Sequence, residues 1–159
     1  VYVLGNAVVP MIAFNCGAHS RARVAGIIRS AMAAAIVSML AGMVLLLAVP
    51  GPLLGLFNLD SEALAIGIPA MRIVSLSFAA AGVSLVCSYT FQATGSNSAS
   101  LVLALLRQIV ILLPLAAVLL HTDPALTWWA FPIAEGVCLI LALLLFRSAY
   151  RKRIAPLGA

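Results

Sequence analysis

Charged residues are scarce in this sequence. Only 8% of its 159 residues are Asp, Glu, Lys or Arg, and four of those are acidic, whereas an average soluble domain is about a quarter charged. A water-soluble globule of this size would lack the polar side chains to cover its surface. The shortage of charge therefore excludes the soluble classes and indicates a protein that lies in a membrane.

Patterns that carry enzyme or metal chemistry are also lacking. The sequence has no glycine-rich phosphate loop, no HExxH motif and no GxSxG motif. Its three cysteines are widely spaced in apolar runs and its two histidines fall in separate loops, so no spacing suits a metal site. The basic residues are not interleaved with aromatics, as a nucleic-acid surface requires. We therefore predict no enzyme, no cofactor, no metal and no nucleic-acid partner.

Apolar residues, in contrast, make up 65% of the chain. They fall in runs without period-2 alternation, most of them near the ~20 residues that a membrane-spanning helix needs and far above the ~10 of a barrel strand. Because the chain begins without methionine inside an uncharged run, we expect a piece of a longer protein. The sequence predicts an all-α, polytopic transmembrane bundle over residues 1–159, with about five spans at 1–15, 30–49, 73–94, 101–120 and 125–146.

The distribution of charge predicts the orientation of these spans. Basic residues follow the first span and fill the tail at 147–159, whereas the loops on the other side carry acids and no Lys or Arg. By the positive-inside rule, we predict a multi-pass protein of the cell membrane whose basic tail is cytoplasmic. The basic residues are Arg21, Arg23, Arg29, Arg147, Arg151, Lys152 and Arg153, and the acids are Asp60, Glu62 and Asp123.

Residues 51–70 do not fit a span. They mix leucine and phenylalanine with two acids and a proline over a run that is too short to cross the bilayer. We predict an interfacial segment on the outer surface here.

A few polar residues inside the spans are candidates for function. Ser84, Ser88 and Gln92 lie four apart and share a helix face, although such serines also bond to their own backbone. Glu135 lies eight residues past Thr127, ~12 Å along its helix. An acid at that depth is costly and predicts proton binding, or else a structural pair with Arg72 or Arg107.

Small residues and prolines give weaker signals. Prolines at 10, 114 and 132 remove backbone donors and predict kinks in the first, fourth and fifth spans. The second span has a small residue at every fourth position, which predicts close helix packing or, alternatively, a substrate groove. The series is Gly26, Ser30, Ala34, Ser38 and Gly42.

Four motifs resemble those of one transporter family. In order along the chain they are PMIAFNCGA at 10–18, FQATG at 91–95, LRQ at 106–108 followed by Pro114, and FPIAE at 131–135. This ordered set resembles the last five of the twelve helices of the multidrug and toxic compound extrusion (MATE) transporters. The resemblance makes Pro10, Pro114 and Pro132 structural motif residues and puts an amide, Asn15 or Gln92, just before the end of a helix. Gly17 and Gly95 are expected to end those helices in the left-handed conformation.

The resemblance implies an antiporter that exports cationic, amphipathic organic compounds in exchange for protons or sodium. This chain would be most of its second bundle, with the lipid bilayer and the first, N-terminal lobe as partners. The pathway residues are then predicted to be Asn15, Ser84, Ser88, Gln92, Arg107 and Glu135.

One departure from the family pattern leaves the site of ion coupling open. Members of one branch carry a cation-binding aspartate where this chain has Ala81-Gly82-Val83-Ser84, so coupling would use Glu135 or the first lobe.

Two other functions also stay open. A flippase for lipid-linked oligosaccharides shares the architecture but should have more cationic residues in its cavity. A membrane scaffold or non-transporting fragment is the third hypothesis.

Overall fold

The computed structural model describes residues 2–157, and every regular element in that range is helical. The predicted all-α fold is confirmed. Val1 of the predicted first span and Gly158 and Ala159 of the predicted tail lie outside the described residues. The α-helices are α1 (Tyr2–Gly17), α2 (Arg21–Ala48), α3 (Pro50–Gly55), α4 (Ser61–Ser75), α5 (Phe78–Ala93), α6 (Asn97–Leu105), α7 (Leu113–Thr122) and α8 (Ala130–Ala149).

Segments with π or 3-10 geometry join some of these α-helices into longer ones. A π-helical segment, Leu106–Leu112, joins α6 to α7, and a 3-10 segment, Pro124–Trp129, leads into α8, which ends in a π-helical turn, Tyr150–Ile154. By length and apolar composition, α2 and the continuous helices Asn97–Thr122 and Pro124–Ile154 can span a membrane.

The third predicted span, 73–94, consists mainly of α5. Helix α5 meets α4 at 48°, and the two together make a fourth candidate span, so part of this candidate span, 61–70, comes from the predicted interfacial segment. Helix α1 has 16 residues, or ~24 Å of helix, against ~30 Å for the hydrocarbon core. The structure thus gives three to four candidate spans, and the predicted first span is the shorter α1.

Helix α5 lies at the centre of the bundle. It packs against α1, α2 and α8, and no residue from Phe78 to Phe91 is exposed. A Cβ built at Gly82 would lie 2.9 Å from Met39 Cγ and 3.4 Å from the carbonyl oxygen of Ala35. The absence of a side chain at Gly82 therefore lets α5 approach α2 closely.

The C-terminal segment folds back onto one end of the bundle, which we call the basic end. Arg153 Nη1 donates a hydrogen bond to the carbonyl oxygen of Thr94, 3.0 Å away, and Ile154 is buried against the core that includes Val24. Tyr150 lines a cleft with Arg21. The tail and the turns before α2 and after α5 therefore lie together, and their placement on the cytoplasmic side stays a prediction.

The opposite end, which we call the acidic end, holds the start of α4 and the loop after α7. Asp60 caps α4 through a 2.8 Å hydrogen bond that its Oδ1 accepts from the N–H of Ala63. Within the predicted interfacial segment, α3 packs against α4, where Leu54 contacts Gly67. The position of this segment on an outer membrane surface stays a prediction.

Two helix ends have the same hydrogen-bond pattern with different residues. After α5, Gly95 has a φ of 74° and Ser96 N–H donates to the carbonyl oxygen of Phe91 at 2.7 Å. After α1, Ser20 N–H donates to the carbonyl oxygen of Asn15 at 3.1 Å, but the left-handed residue is His19, with a φ of 52°. Both are Schellman ends. The left-handed conformation predicted at Gly17 is wrong, because α1 continues through Gly17.

The three prolines of the predicted kinks lie at different positions in their helices. Pro10 lies inside α1, as expected. Pro114 is the second residue of α7, which follows the π-helical segment, so the irregular geometry around its missing N–H lies on its N-terminal side. Pro132 lies in the first turn of α8, just after the 3-10 segment that ends at Trp129, so the change of helical geometry again lies on the N-terminal side of the proline. A kink at Pro132 stays a prediction.

Candidate functional site

A cavity of about 430 Å³ opens between α1, α5 and the helix that begins with α6. Polar side chains from all three helices face it. Polar groups inside a membrane cost free energy, so such a cluster indicates a functional site. Its polar and charged lining residues are Asn6, Ser84, Ser88, Tyr89, Gln92, Ser100 and Arg107.

The wall on α5 consists of the three polar residues four apart. Ser84, Ser88 and Gln92 all line the cavity, and Gln92 Nε2 donates a 3.0 Å hydrogen bond to Ser100 Oγ at the start of α6. Ser84 is 2% exposed, and its hydroxyl oxygen has no hydrogen-bond partner among residues 2–157. A buried hydroxyl of this kind favours a bound polar group or water.

One ion pair lies beside this wall. Arg107 Nη1 is 3.3 Å from Glu135 Oε1 and 3.5 Å from Oε2. Arg107 lines the cavity from the π-helical segment. Glu135 contacts Arg107 from α8 but is not itself on the lining, which α8 reaches through Cys138, one turn later. Their side chains are 28% and 16% exposed. Of the two partners predicted for Glu135, the structure pairs it with Arg107.

The geometry of the π-helical segment bears on this pair. A π turn adds a residue to the helical repeat and rotates the side chains around it, and such turns are frequent at functional sites. Arg107 lies at its second position. The segment ends just before Pro114, whose missing N–H disfavours a regular α-helix there.

Helix α1 supplies the part of the lining that the sequence did not predict. Asn6 and Pro10, four residues apart, line the cavity opposite α5. The ring of Tyr89 occupies the space where a Cβ at Gly5 would be, so this glycine lets Tyr89 pack over α1. Asn6 could have been predicted, because it is a polar residue one turn before Pro10 in an uncharged run. The position of Tyr89 on the lining could not, because it depends on how α1 packs against α5.

The remaining predicted site residues lie elsewhere. Asn15 does not line the cavity, and its Nδ2 donates to the carbonyl oxygen of Met11 in its own helix at 2.9 Å. Gly17, Gly95, Pro114 and Pro132 are also absent from the lining and lie near helix ends. The roles of all these residues in transport stay predictions.

The cavity suits binding better than covalent chemistry. Its lining offers hydroxyls, amides and one guanidinium that a carboxylate neutralises. Within the described residues, no three His, Cys, Asp or Glu side chains lie close enough to hold a metal. Such a surface can accept hydrogen-bonding or cationic groups of a small molecule.

Comparisons with known proteins agree with these features. The MatE family model matches residues 1–118. Among solved structures, the chain is similar to a ligand-bound structure of the MATE multidrug transporter DinF-BH, with a TM-score of 0.84 and 30% sequence identity. The match covers 95% of this chain and 34% of that one, so the chain spans about a third of that transporter. No curated protein matches the sequence.

Proposed function

Because the chain belongs to the MATE family of transporters, we propose that it forms most of the second bundle of an antiporter. That antiporter exports cationic, amphipathic organic compounds in exchange for protons or sodium. The observation that carries the proposal is the contact between Arg107 and Glu135 at the wall of a polar cavity.

The pair offers a simple means of exchange. With Glu135 ionised, the charge of Arg107 is neutralised, and a cationic group can lie beside Ser88 and Gln92. A proton or sodium ion taken up by Glu135 removes that neutralisation. The unpaired guanidinium then repels an organic cation strongly, because the apolar surroundings screen charge poorly.

The proposal includes a membrane and a partner. The basic end faces the cytoplasm of a cell membrane, in accord with the excess of Arg and Lys there. The first lobe of the transporter supplies the other wall of the substrate path, and alternate closure of the two lobes moves the substrate.

The two other hypotheses receive less support. A flippase for lipid-linked oligosaccharides would need several cations to hold a pyrophosphate, and Arg107 is the one cation on the described lining, already paired. A non-transporting scaffold would have no use for a polar cavity. A reading frame without seven further helices upstream of Val1 would favour that third hypothesis.

The test is dye efflux by the complete transporter in proteoliposomes with imposed proton and sodium gradients. Glu135→Gln leaves Arg107 without a counter-charge, and we expect efflux of a cationic rhodamine dye to fall at least ~10-fold and to lose its response to the coupling gradient. Glu62→Gln, an exposed acid at the acidic end, is the matched control and should transport normally.

A double variant separates charge from coupling. Arg107→Gln together with Glu135→Gln restores a neutral cavity, so dye binding should return while gradient-driven efflux stays lost. Normal, gradient-dependent efflux by Glu135→Gln would remove this pair from the mechanism.

A further inference from the structure

A second cavity lies at the acidic end and shares no lining residue with the first. It has a volume of about 660 Å³ and lies between α4 and the 3-10 segment. That volume is in the range of sites for drug-sized molecules. Most of its wall is apolar, with Ala65, Ile66 and Pro69 on α4 and Leu120 on α7.

The charge of this cavity is negative. Asp123 is the one charged residue on its described lining, and its Oδ1 accepts a 2.8 Å hydrogen bond from the N–H of Ala125, which fixes the carboxylate at the start of the 3-10 segment. Asp60 and Glu62 lie at the same end, and Arg72, in the last turn of α4, does not line the cavity. The local field therefore favours a cation.

Two further lining residues supply specific contacts. Trp128 presents an indole, the ring that binds cations best. Thr127 also lines the cavity, and its hydroxyl oxygen is buried without a hydrogen-bond partner in the described part of the chain. A ligand or water in the cavity would provide that missing partner.

We propose that this second cavity binds an amphipathic organic cation. The apolar body of the ligand packs against the α4 wall, and its positive charge lies between the Asp123 carboxylate and the Trp128 ring. The combination of apolar walls, one acid and one indole selects a hydrophobic cation over an anion or a neutral polar solute. This site is separate from the cavity to which we assign transport.

The chain carries its own probe for this site. Trp128 and Trp129 are its two tryptophans, and Trp129 does not line the cavity. The test uses the complete transporter, with every tryptophan outside residues 1–159 replaced by phenylalanine. In its Trp129→Phe variant, all tryptophan emission then comes from Trp128. Titration in detergent with tetraphenylphosphonium should change that emission saturably, whereas Trp128→Phe, which keeps Trp129, should show only the linear change caused by partition into micelles.

Substitutions of charge then test selectivity. Asp123→Asn, in the Trp129→Phe background, keeps an oxygen for the cap on Ala125 but removes the charge, so the apparent Kd for tetraphenylphosphonium should rise at least ~5-fold. Glu62→Gln, in the same background, should leave the Kd unchanged. Neutral triphenylphosphine oxide should bind more weakly than tetraphenylphosphonium by a similar factor.

Three results would overturn the proposal. They are the absence of a saturable response from Trp128, an affinity unaffected by Asp123→Asn, and equal affinity for the neutral compound. Glu135→Gln separates this site from the transport cavity, because it should abolish coupled efflux and leave the Trp128 response intact. A Trp128 response that disappears in Glu135→Gln would show that the ligand occupies the first cavity instead.

Discussion

Two helices of this bundle carry small residues at every fourth position, and the bundle uses them differently. On α8, Ala130, Ala134, Cys138 and Ala142 are all at most 1% exposed and face neighbouring helices. On α2, the predicted series runs from Gly26 to Gly42. Its first four members are exposed, and Gly42 is half-buried.

The buried face of α2 is a different one. It consists of Val24, Ile28, Ala31 and Ala35, which join the core shared with α1 and α5. On α8 the small residues meet Leu112 on one side and the cluster around Phe91 on the other. A small residue at every fourth position thus permits close approach, but the position of the neighbouring helix decides which face is packed.

The largest expected effect comes from enlarging a member of the α8 series. Ala134 is 1% exposed and belongs to the cluster with Leu112 and Ala130. Ala134→Leu adds three carbons to a filled space, and we expect it to lower the free energy of unfolding by ~3 kcal/mol. The measurement is the midpoint of unfolding by SDS in mixed micelles.

The matched control is Ala34→Leu on α2, which makes the same chemical change at an exposed site. It should alter stability by no more than ~0.5 kcal/mol. Equal losses in the two variants would break the comparison, because they would show that the α2 series is also packed.

A smaller effect should separate two glycines by their neighbours. At Gly82 an added methyl would approach Met39 Cγ and the carbonyl of Ala35, whereas at Gly136 on α8 nothing lies within 4 Å. Both sites gain ~0.5–1 kcal/mol of helix propensity from Gly→Ala. We expect Gly136→Ala to be stabilising by that amount and Gly82→Ala to be destabilising by ~1 kcal/mol, because the clash exceeds the gain.

Thermal midpoints of the two variants, measured side by side in detergent, check this prediction. The expected result is a shift of opposite sign. A stabilised Gly82→Ala would mean that Met39 moves aside without cost and that α5 does not need to approach α2 closely.

The apolar runs were enough to predict most helices, but not the break between α4 and α5. The run 73–94 has no charged residue to mark a break, yet the helix bends between Ser75 and Ser77. Both hydroxyls are buried there and donate to the backbone carbonyls of Arg72 and Val74, at 2.7 and 2.6 Å. Side-chain hydrogen bonds of this kind compete with the backbone pattern and often bend helices, but which serines form them depends on the local packing. Composition alone does not carry that information.

In the candidate site, too, the sequence predicted the local features but not those that depend on packing between helices. The spacing of Ser84, Ser88 and Gln92 predicted one polar wall, because helical periodicity is local. The contact of Arg107 with Glu135 joins residues 28 apart in sequence and was one of two pairings that the sequence allowed. Tyr89 faces the cavity because Gly5 on another helix leaves room for its ring.

The smallest expected effect extends the comparison to the two Schellman ends, where the same geometry uses different residues. His19 and Gly95 both have positive φ, at 52° and 74°. A histidine in this conformation carries a steric cost of ~1–2 kcal/mol that glycine avoids, whereas glycine loses ~0.5–1 kcal/mol more entropy on folding. The net effect of His19→Gly should therefore be a gain in stability of ~0.5–1 kcal/mol. Gly95→Ala should lower stability by ~1 kcal/mol, since its Cβ enters the same strained region.

Thermal midpoints in detergent measure both changes. His19→Ala is the control, because it removes the imidazole but keeps a Cβ and should bring no gain. If His19→Ala stabilises the chain as much as His19→Gly, the imidazole and not the backbone conformation is the source of the cost.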